Sequence, residues 1–161
     1  VTGVQTCALP ISKNEFVYTT FIRTTPEKLW AAITTPEFTR QYWGHDNVSD
    51  WKKGSKWQHV TNEGAVRIEG KVLESVPPKR LVLSWFDPKA PDDDSRVAFE
   101  IQPVEDMVRL DVLHGDFKSG STMTAKVAAG WPRVLSSLKT FLETAKPLDT
   151  WAGHNSECTA A

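Results

Sequence analysis

Two histidines occupy positions from which they could bind a ligand or transfer a proton. His59 lies in the segment KWQHV and His114 in MVRLDVLH, and both segments alternate between apolar and polar residues. Such alternation predicts strands that are buried on one face, and each histidine falls on the buried face. A histidine there could contact a ligand or act as an acid or base. The alternative, which we favour for each, is a histidine at the edge of the core that bonds to the backbone.

A catalytic role for either histidine needs a partner. No carboxylate shares the inward face with His59 or His114, so a partner would come from a loop, for example Asp116 or Glu63. The serine pair at 136–137 has no histidine or aspartate arranged for triad chemistry. A glycine-rich phosphate loop and the zinc motif H-E-x-x-H are both missing from the sequence. We therefore expect no catalytic residue, no cofactor and no metal, and we favour a non-catalytic protein while leaving enzymatic activity open.

Two polar clusters are weaker candidates. His45 and Asp46 in YWGHDN could be part of a metal or acid–base site, but no third ligand accompanies them, so we interpret them as loop residues. The acidic run at 92–94 lies in DPKAPDDDS, which we interpret as a solvated loop.

The tryptophans are the second candidate for function, since the chain has seven of them and only two tyrosines. Indoles on elements that face one another could line a pocket for a flat or apolar ligand. They could equally form a packed aromatic core, and composition does not choose between the two. In the pocket interpretation, with the two histidines as its polar groups, the lining residues are Trp43, Trp57, His59, Trp85, Phe99, His114, Phe117, Trp131 and Leu135.

Strands and helices that would position these residues can be read from periodicity and capping. EFVYTTFIR, from Glu15, predicts a first strand, and two Thr-Pro-Glu sequences at 25–27 and 35–37 predict the starts of two short helices. About six antiparallel strands follow. Apolar residues spaced by three and four from Val127 to Leu142 predict a long helix, with a kink or a late start near Gly130 caused by Pro132.

Bulk composition limits the class of protein. The chain has 161 residues and a net charge of −1, which fits one domain and argues against nucleic-acid binding. No apolar run approaches the roughly 20 residues of a membrane span, so we expect a soluble protein. The two cysteines, Cys7 and Cys158, form neither a disulfide framework nor a zinc motif, and we expect a cytoplasmic protein.

The first residues, VTGVQTCALPIS, fail the requirements of a signal peptide because they lack a basic region and a cleavage site. They resemble the translation of a short-read sequencing adaptor. We therefore predict a non-native segment at 1–12, one domain at 13–148 and a flexible tail at 149–161. The natural start would then be missing, and the source would be an assembled environmental sequence of bacterial origin.

Four features in order resemble one known family: the strand-helix-helix opening, DWKKGSKW at 50–57, the run from Gly70 to Trp85, and GWPRVLSSLKTFLE at 130–143. Together they resemble the activator of heat-shock-protein-90 ATPase homologue-like family, of the START-like, Bet v-type superfamily. The resemblance implies an α+β helix-grip fold, in which a curved antiparallel sheet of six to seven strands wraps around a long C-terminal helix. It also implies a cavity between them. Asp116 departs from the family pattern and would place a charge near the cavity mouth.

Our leading hypothesis is a non-catalytic protein, monomer or homodimer, that binds a small hydrophobic or aromatic molecule between sheet and helix. One alternative is a chaperone-associated protein, as the family name implies. A second is an enzyme of the cyclase, dehydratase or hydrolase kind, which would need a carboxylate close to His59 or His114.

Overall fold

The computed structural model describes residues 14–148, so the predicted boundaries at 1–12 and 149–161 lie outside the described residues. The elements confirm the predicted α+β helix-grip architecture of sheet, two short helices and one long helix. In chain order they are β1 (Phe16–Ile22), α1 (Pro26–Thr34), α2 (Pro36–Trp43), β2 (Asp46–Val48), β3 (Lys56–Val60), β4 (Val66–Val76), β5 (Arg80–Trp85), β6 (Ser95–Val104), β7 (Met107–Gly115) and α3 (Met123–Thr144).

A single antiparallel sheet contains the seven described strands, in the order β1-β7-β6-β5-β4-β3-β2. The first strand pairs with the last, Phe16 lying opposite His114, so both ends of the domain meet at one side of the sheet. The hairpin between β6 and β7 places Val104 opposite Met107, which leaves Glu105 and Asp106 as the predicted turn.

Local capping explains the start of α1 and the end of α2, whereas the Thr35 side chain makes no capping hydrogen bond to α2. The side chain of Thr25 accepts a hydrogen bond from the backbone N–H of Lys28 at 3.3 Å, as expected of an N-cap. Thr35 ends α1 by donating its N–H to Ala31 and then serves as the first residue before α2. Gly44, at φ +80°, ends α2 in the left-handed conformation that glycine adopts without strain.

The long helix α3 starts earlier than Gly130, the late start that we gave as one of two possible effects of Pro132. It begins at Met123 and continues through Pro132, so a late start near Gly130 is wrong. A side chain from another loop stabilises this start: Asp93 Oδ2 accepts hydrogen bonds from the backbone N–H and the hydroxyl of Thr122, each at 3.2 Å. The acidic run at 92–94 is therefore more than a solvated loop, because one of its carboxylates caps α3.

Strand β2 corrects the interpretation of His45 and Asp46 as loop residues, because Asp46 begins this strand. Asp46 pairs with Val60 at the edge of the sheet, and its carboxylate binds the Arg40 guanidinium through two hydrogen bonds of 2.8 and 2.7 Å. Three residues are too few for a period-two pattern to be visible, and the fork-shaped ion pair stabilises them instead.

Between the inner face of the sheet and the helices lies the main hydrophobic core. Gly70 on β4 makes one close approach possible, because a Cβ at this position would lie 1.9 Å from the carbonyl oxygen of Ser84. That carbonyl accepts the indole N–H of Trp57 at 2.8 Å. No helix formed by residues 14–148 is long and apolar enough to cross a membrane.

Candidate functional site

The structure brings the nine residues predicted to line a pocket to the region between the sheet and α3. Eight of them are at most 3% exposed, whereas Phe117 is half-buried and packs against the others. The eight rings, here called the ring cluster, are those of Trp43, Trp57, His59, Trp85, Phe99, His114, Phe117 and Trp131. Leu135, on α3, is buried in the same core.

Trp85 on β5 lies at the centre of the ring cluster. Its ring centroid is 5.1 Å from that of Trp57, 5.5 Å from that of Trp131 and 5.3 Å from that of His114. It also lies 6.3 Å from Trp43, with an angle of 17° between the two planes. These are ordinary separations for interacting aromatic rings, so strands, α2 and α3 meet through one continuous aromatic network.

Both ring nitrogens of His114 have partners. The indole N–H of Trp131 donates to Nδ1 at 3.0 Å, so the proton of the neutral ring is on Nε2. Nε2 donates to Ser95 Oγ at 2.8 Å, and the Ser95 hydroxyl donates to the Trp85 carbonyl at 3.2 Å. Burial lowers the pKa of His114 to about 3, which keeps the ring neutral. His114 is thus a satisfied core histidine with no nitrogen left for a ligand, but its partners are two side chains and not the backbone that we expected.

His59, in contrast to His114, has a hydrogen-bond partner in the described region for only one of its two ring nitrogens. Its Nδ1 lies 2.6 Å from Asn47 Oδ1, and the Asn47 amide nitrogen donates to the Ile33 carbonyl at 3.3 Å, which fixes the amide orientation. Nδ1 therefore carries the proton. Nε2 is buried and makes no hydrogen bond within the described part of the chain. Burial, with a smaller contribution from the nearby His45, holds the pKa of His59 well below its usual value.

Two indoles of the ring cluster also have a buried nitrogen without a hydrogen-bond partner among the described residues. The Nε1 atoms of Trp43 and Trp85 are buried and unbonded among residues 14–148. Trp57 and Trp131, by contrast, donate to Ser84 and His114. Because buried polar groups are nearly always hydrogen-bonded, three unpartnered nitrogens in one cluster need an explanation.

Neither histidine has a carboxylate partner within the region described, since the partners are an amide, a hydroxyl and an indole. The loop carboxylates that could have supplied one are elsewhere: Glu63 and Asp116 are exposed. Asp116 lines a cavity of about 240 Å³ with Arg80 and Arg96, on the face of the sheet opposite α3. Asp116 directly precedes Phe117 in the chain, but the cavity that Asp116 lines contains no residue of the ring cluster.

His45 stacks on His59 with ring centroids 4.4 Å apart, and its Nδ1 lies 3.3 Å from the Trp43 carbonyl. Burial is the largest cause of its lowered pKa. Over residues 14–148 no three His, Cys, Asp or Glu side chains are grouped as metal ligands.

Outside the ring cluster, an apolar groove of about 450 Å³ runs between α1, α2 and the end of α3. Phe38 and Phe141 form part of its wall, with ring centroids 6.2 Å apart. A more polar cavity of about 500 Å³ lies near Phe21 and Lys139. Neither of these cavities, nor the one beside Asp116, is lined by a residue of the ring cluster.

Sequence reasoning missed Asn47. Asn47 belongs to no recognisable motif and to no periodic pattern. Its amide reaches His59 only because the two residues pair across β2 and β3. The unpartnered state of Trp43 and Trp85 was equally invisible, because it depends on side-chain geometry.

Comparison with known proteins places the fold. The sequence profile described as Activator of Hsp90 ATPase homolog 1-like protein matches residues 23–143. No curated protein sequence matches the chain.

Several solved structures are similar. The Aha1 dimer from Colwellia psychrerythraea superposes with a TM-score of 0.70 at 22% identity, covering 82% of this chain and 98% of its own. A protein from Mesorhizobium loti gives 0.68 at 26% identity, covering 80% and 96%. An HSP90 activator from Plasmodium falciparum gives 0.65 at 25% identity, again covering 80% and 96%.

Proposed function

Because the chain belongs to the family of Activator of Hsp90 ATPase homolog 1-like proteins, whose fold sets a sheet against one long helix, we propose that it is a ligand-binding protein. Its ligand is a small hydrophobic or aromatic molecule, which binds among the rings between the sheet and α3 without being chemically changed. The proposal includes a bacterial origin and a cytoplasmic location; the cytoplasmic location is supported by a sequence with only two cysteines, too few for the disulfide framework of a small secreted domain.

One observation carries this proposal: Trp43 Nε1, Trp85 Nε1 and His59 Nε2 are buried and unbonded among the described residues. Leaving a buried donor or acceptor without a partner costs about 1 to 3 kcal/mol. Three such groups in one cluster would destabilise a core that had only a structural role. Such a core would be more stable with phenylalanine or leucine at these positions. A binding site accepts this cost because the ligand supplies the partners.

A non-catalytic role is favoured by the histidine partners. His114 is held by Trp131 and Ser95, and His59 by Asn47, so neither has the carboxylate that would help it exchange protons. Both histidines have lowered pKa values caused mainly by burial, which favours hydrogen bonding over proton transfer near neutral pH.

Entry to the rings requires a side chain to move, because eight of the nine lining residues are at most 3% exposed. Phe117 is half-buried and stacks on His114 with centroids 5.1 Å apart. It lies between the end of β7 and the start of α3. We place the entrance there, since a loop side chain is easier to displace than a residue inside a strand.

Tryptophan fluorescence tests the proposal, because the indoles of the ring cluster would contact the ligand. The chain is titrated with a panel of apolar and aromatic metabolites, with N-acetyltryptophanamide as the control for light absorption by each compound. We expect at least one class to change the emission saturably. If none does so, and if crystals soaked in the panel retain the same packed rings, the ligand-binding proposal is wrong.

A second candidate is a chaperone-associated protein. It is favoured by the 25% identity with an HSP90 activator from Plasmodium falciparum over 80% of this chain. It predicts that the purified chain stimulates the ATPase of a bacterial chaperone of the Hsp90 class in a dose-dependent manner. If the ATPase rate does not change with the concentration of the chain, the chaperone-associated candidate is wrong. This candidate also allows a homodimer, as in the similar Aha1 dimer, and sedimentation would distinguish monomer from dimer.

A further inference from the structure

The three unpartnered nitrogens of the ring cluster differ in chemical kind. The indole Nε1 atoms of Trp43 and Trp85 can only donate. His59 Nε2 can only accept, because Asn47 Oδ1 lies 2.6 Å from Nδ1 and so holds the proton on that atom. The group therefore contains two donors and one acceptor, all buried.

Asn47 cannot be turned round to reverse this pattern. Its amide nitrogen donates to the Ile33 carbonyl, and its own backbone N–H donates to Thr39 Oγ1 at 3.0 Å. The bond to Ile33 fixes the amide with its oxygen toward His59, and the bond to Thr39 holds the backbone of the residue in place. The lowered pKa of His59 agrees with a neutral ring whose Nε2 carries a lone pair.

Trp43 is a neighbour of both other side chains. The ring centroid of Trp43 lies 4.6 Å from that of His59 and 6.3 Å from that of Trp85. Among residues 14–148 no lysine or arginine is buried, so no buried cation is available beside the three nitrogens to neutralise an anion.

We propose that the ligand is a neutral aromatic molecule with a hydroxyl group, and that this hydroxyl bonds to His59 Nε2 and to the indole N–H groups of Trp43 and Trp85. This inference rests on the proposed function. A hydroxyl has one donor and two acceptor lone pairs, which matches one acceptor and two donors. An ether lacks the donor. A carboxylate anion has acceptors only, and it would pay a large desolvation penalty in a cluster without a cation.

Matched probes test the inference. Two series differ in ring size: phenol, anisole and benzoate, and 2-naphthol, 2-methoxynaphthalene and 2-naphthoate. Dissociation constants are measured by calorimetry on the full chain at pH 7. We expect the hydroxyl compound of at least one series to bind about fivefold or more tightly than its methyl ether, the value of one hydrogen bond. The carboxylate should bind most weakly.

Three variants locate the effect. Trp43→Phe and Trp85→Phe each remove one N–H to which both the hydroxyl and the ether oxygen can bond, so each should weaken the binding of both compounds and leave their ratio about the same. His59→Leu removes the acceptor that only the hydroxyl can use, so it should bring the ratio between methyl ether and hydroxyl compound close to one. Trp30→Phe is the matched control, since Trp30 is half-buried outside the ring cluster, and it should leave both affinities and their ratio unchanged. If a variant fails to fold, the ratio in the natural sequence still decides.

The outcomes separate the two proposals. Equal binding of hydroxyl compound and ether, or strongest binding of the carboxylate, overturns the hydroxyl inference and leaves the ligand-binding function standing. Binding of none of the six probes also overturns the hydroxyl inference, and the ligand-binding function is then decided by the fluorescence titration with apolar and aromatic metabolites.

Discussion

The indole nitrogen of Trp131, on α3, donates a hydrogen bond of 3.0 Å to Nδ1 of His114, on β7. His114 Nε2 donates to the Ser95 hydroxyl, and this hydroxyl donates to the carbonyl of Trp85. A chain of hydrogen bonds therefore connects the long helix to strands β7, β6 and β5 through the centre of the core. His114 holds α3 on the sheet, whereas His59 keeps one nitrogen available.

Replacing Trp131 with phenylalanine should weaken this connection strongly. The variant loses part of a buried indole and leaves His114 Nδ1 without its donor, which together should cost about 2 to 4 kcal/mol in the free energy of unfolding. Urea denaturation measures it. Trp30→Phe, at a half-buried position, should cost about 1 kcal/mol or less. Equal losses in the two variants would show that the bond to His114 contributes nothing.

Stability should fall as the pH is lowered below neutrality. The pKa of His114 is about 3 in the folded protein and about 6.5 in an unfolded chain, so the unfolded state binds the extra proton between these values. From pH 7 to pH 5, His114 alone should remove about 2 kcal/mol from the free energy of unfolding. The lowered pKa of His59 acts in the same direction.

His114→Gln isolates this contribution, because glutamine keeps polar atoms but does not titrate. Its unfolding free energy should be lower at pH 7 and should depend less on pH between 7 and 5. An unchanged pH dependence would mean that the folded protein protonates His114 near the ordinary value.

A methyl group at Gly70 should disrupt the junction of β4 and β5. The added Cβ would lie 1.9 Å from the Ser84 carbonyl oxygen, and this oxygen also accepts the Trp57 indole. Since backbone must move, Gly70→Ala should cost about 2 kcal/mol or more. Gly115→Ala is the matched control, because its Cβ would meet only the flexible Glu15 side chain, at 3.2 Å. Thermal unfolding should rank Gly70→Ala well below it, and a reversed order would contradict the structure.

Removal of the Asp93 carboxylate should destabilise the start of α3. Asp93→Ala loses both bonds to Thr122 and should cost about 1 kcal/mol, as is usual for an N-terminal cap. The neighbouring Asp92 is exposed, so Asp92→Ala should change stability by less than about 0.5 kcal/mol. Similar unfolding midpoints for the two variants would exclude the capping role.

Elements whose physical cause lies in neighbouring residues were predictable from the sequence. Thr25 and Pro26 predict the start of α1, because capping and proline geometry act locally. The alternation of apolar and polar residues around His59 predicts β3. Long-range effects were not predictable in this way. The start of α3 depends on Asp93, which is 29 residues away in the chain, and β2 depends on pairing with β3.

The same division applies to the candidate site. Periodicity placed His59 and His114 on the inner face, and both are fully buried there. It could not distinguish them, because their difference comes from Asn47 on one ring and from Ser95 and Trp131 on the other. A strand pattern reports which way a side chain points, but not which atoms it meets.

The proton resonances of the tryptophan indoles test the central claim most directly. In a ¹H–¹⁵N spectrum of the assigned chain saturated with 2-naphthol, or with phenol if the larger ring does not fit, the Trp43 and Trp85 Nε1–H signals should move downfield as these groups gain an acceptor. The Trp30 signal should stay in place. If the Trp43 and Trp85 signals remain unmoved at saturating concentrations of both compounds, the ring cluster is a packed core and the proposed hydroxyl site does not exist.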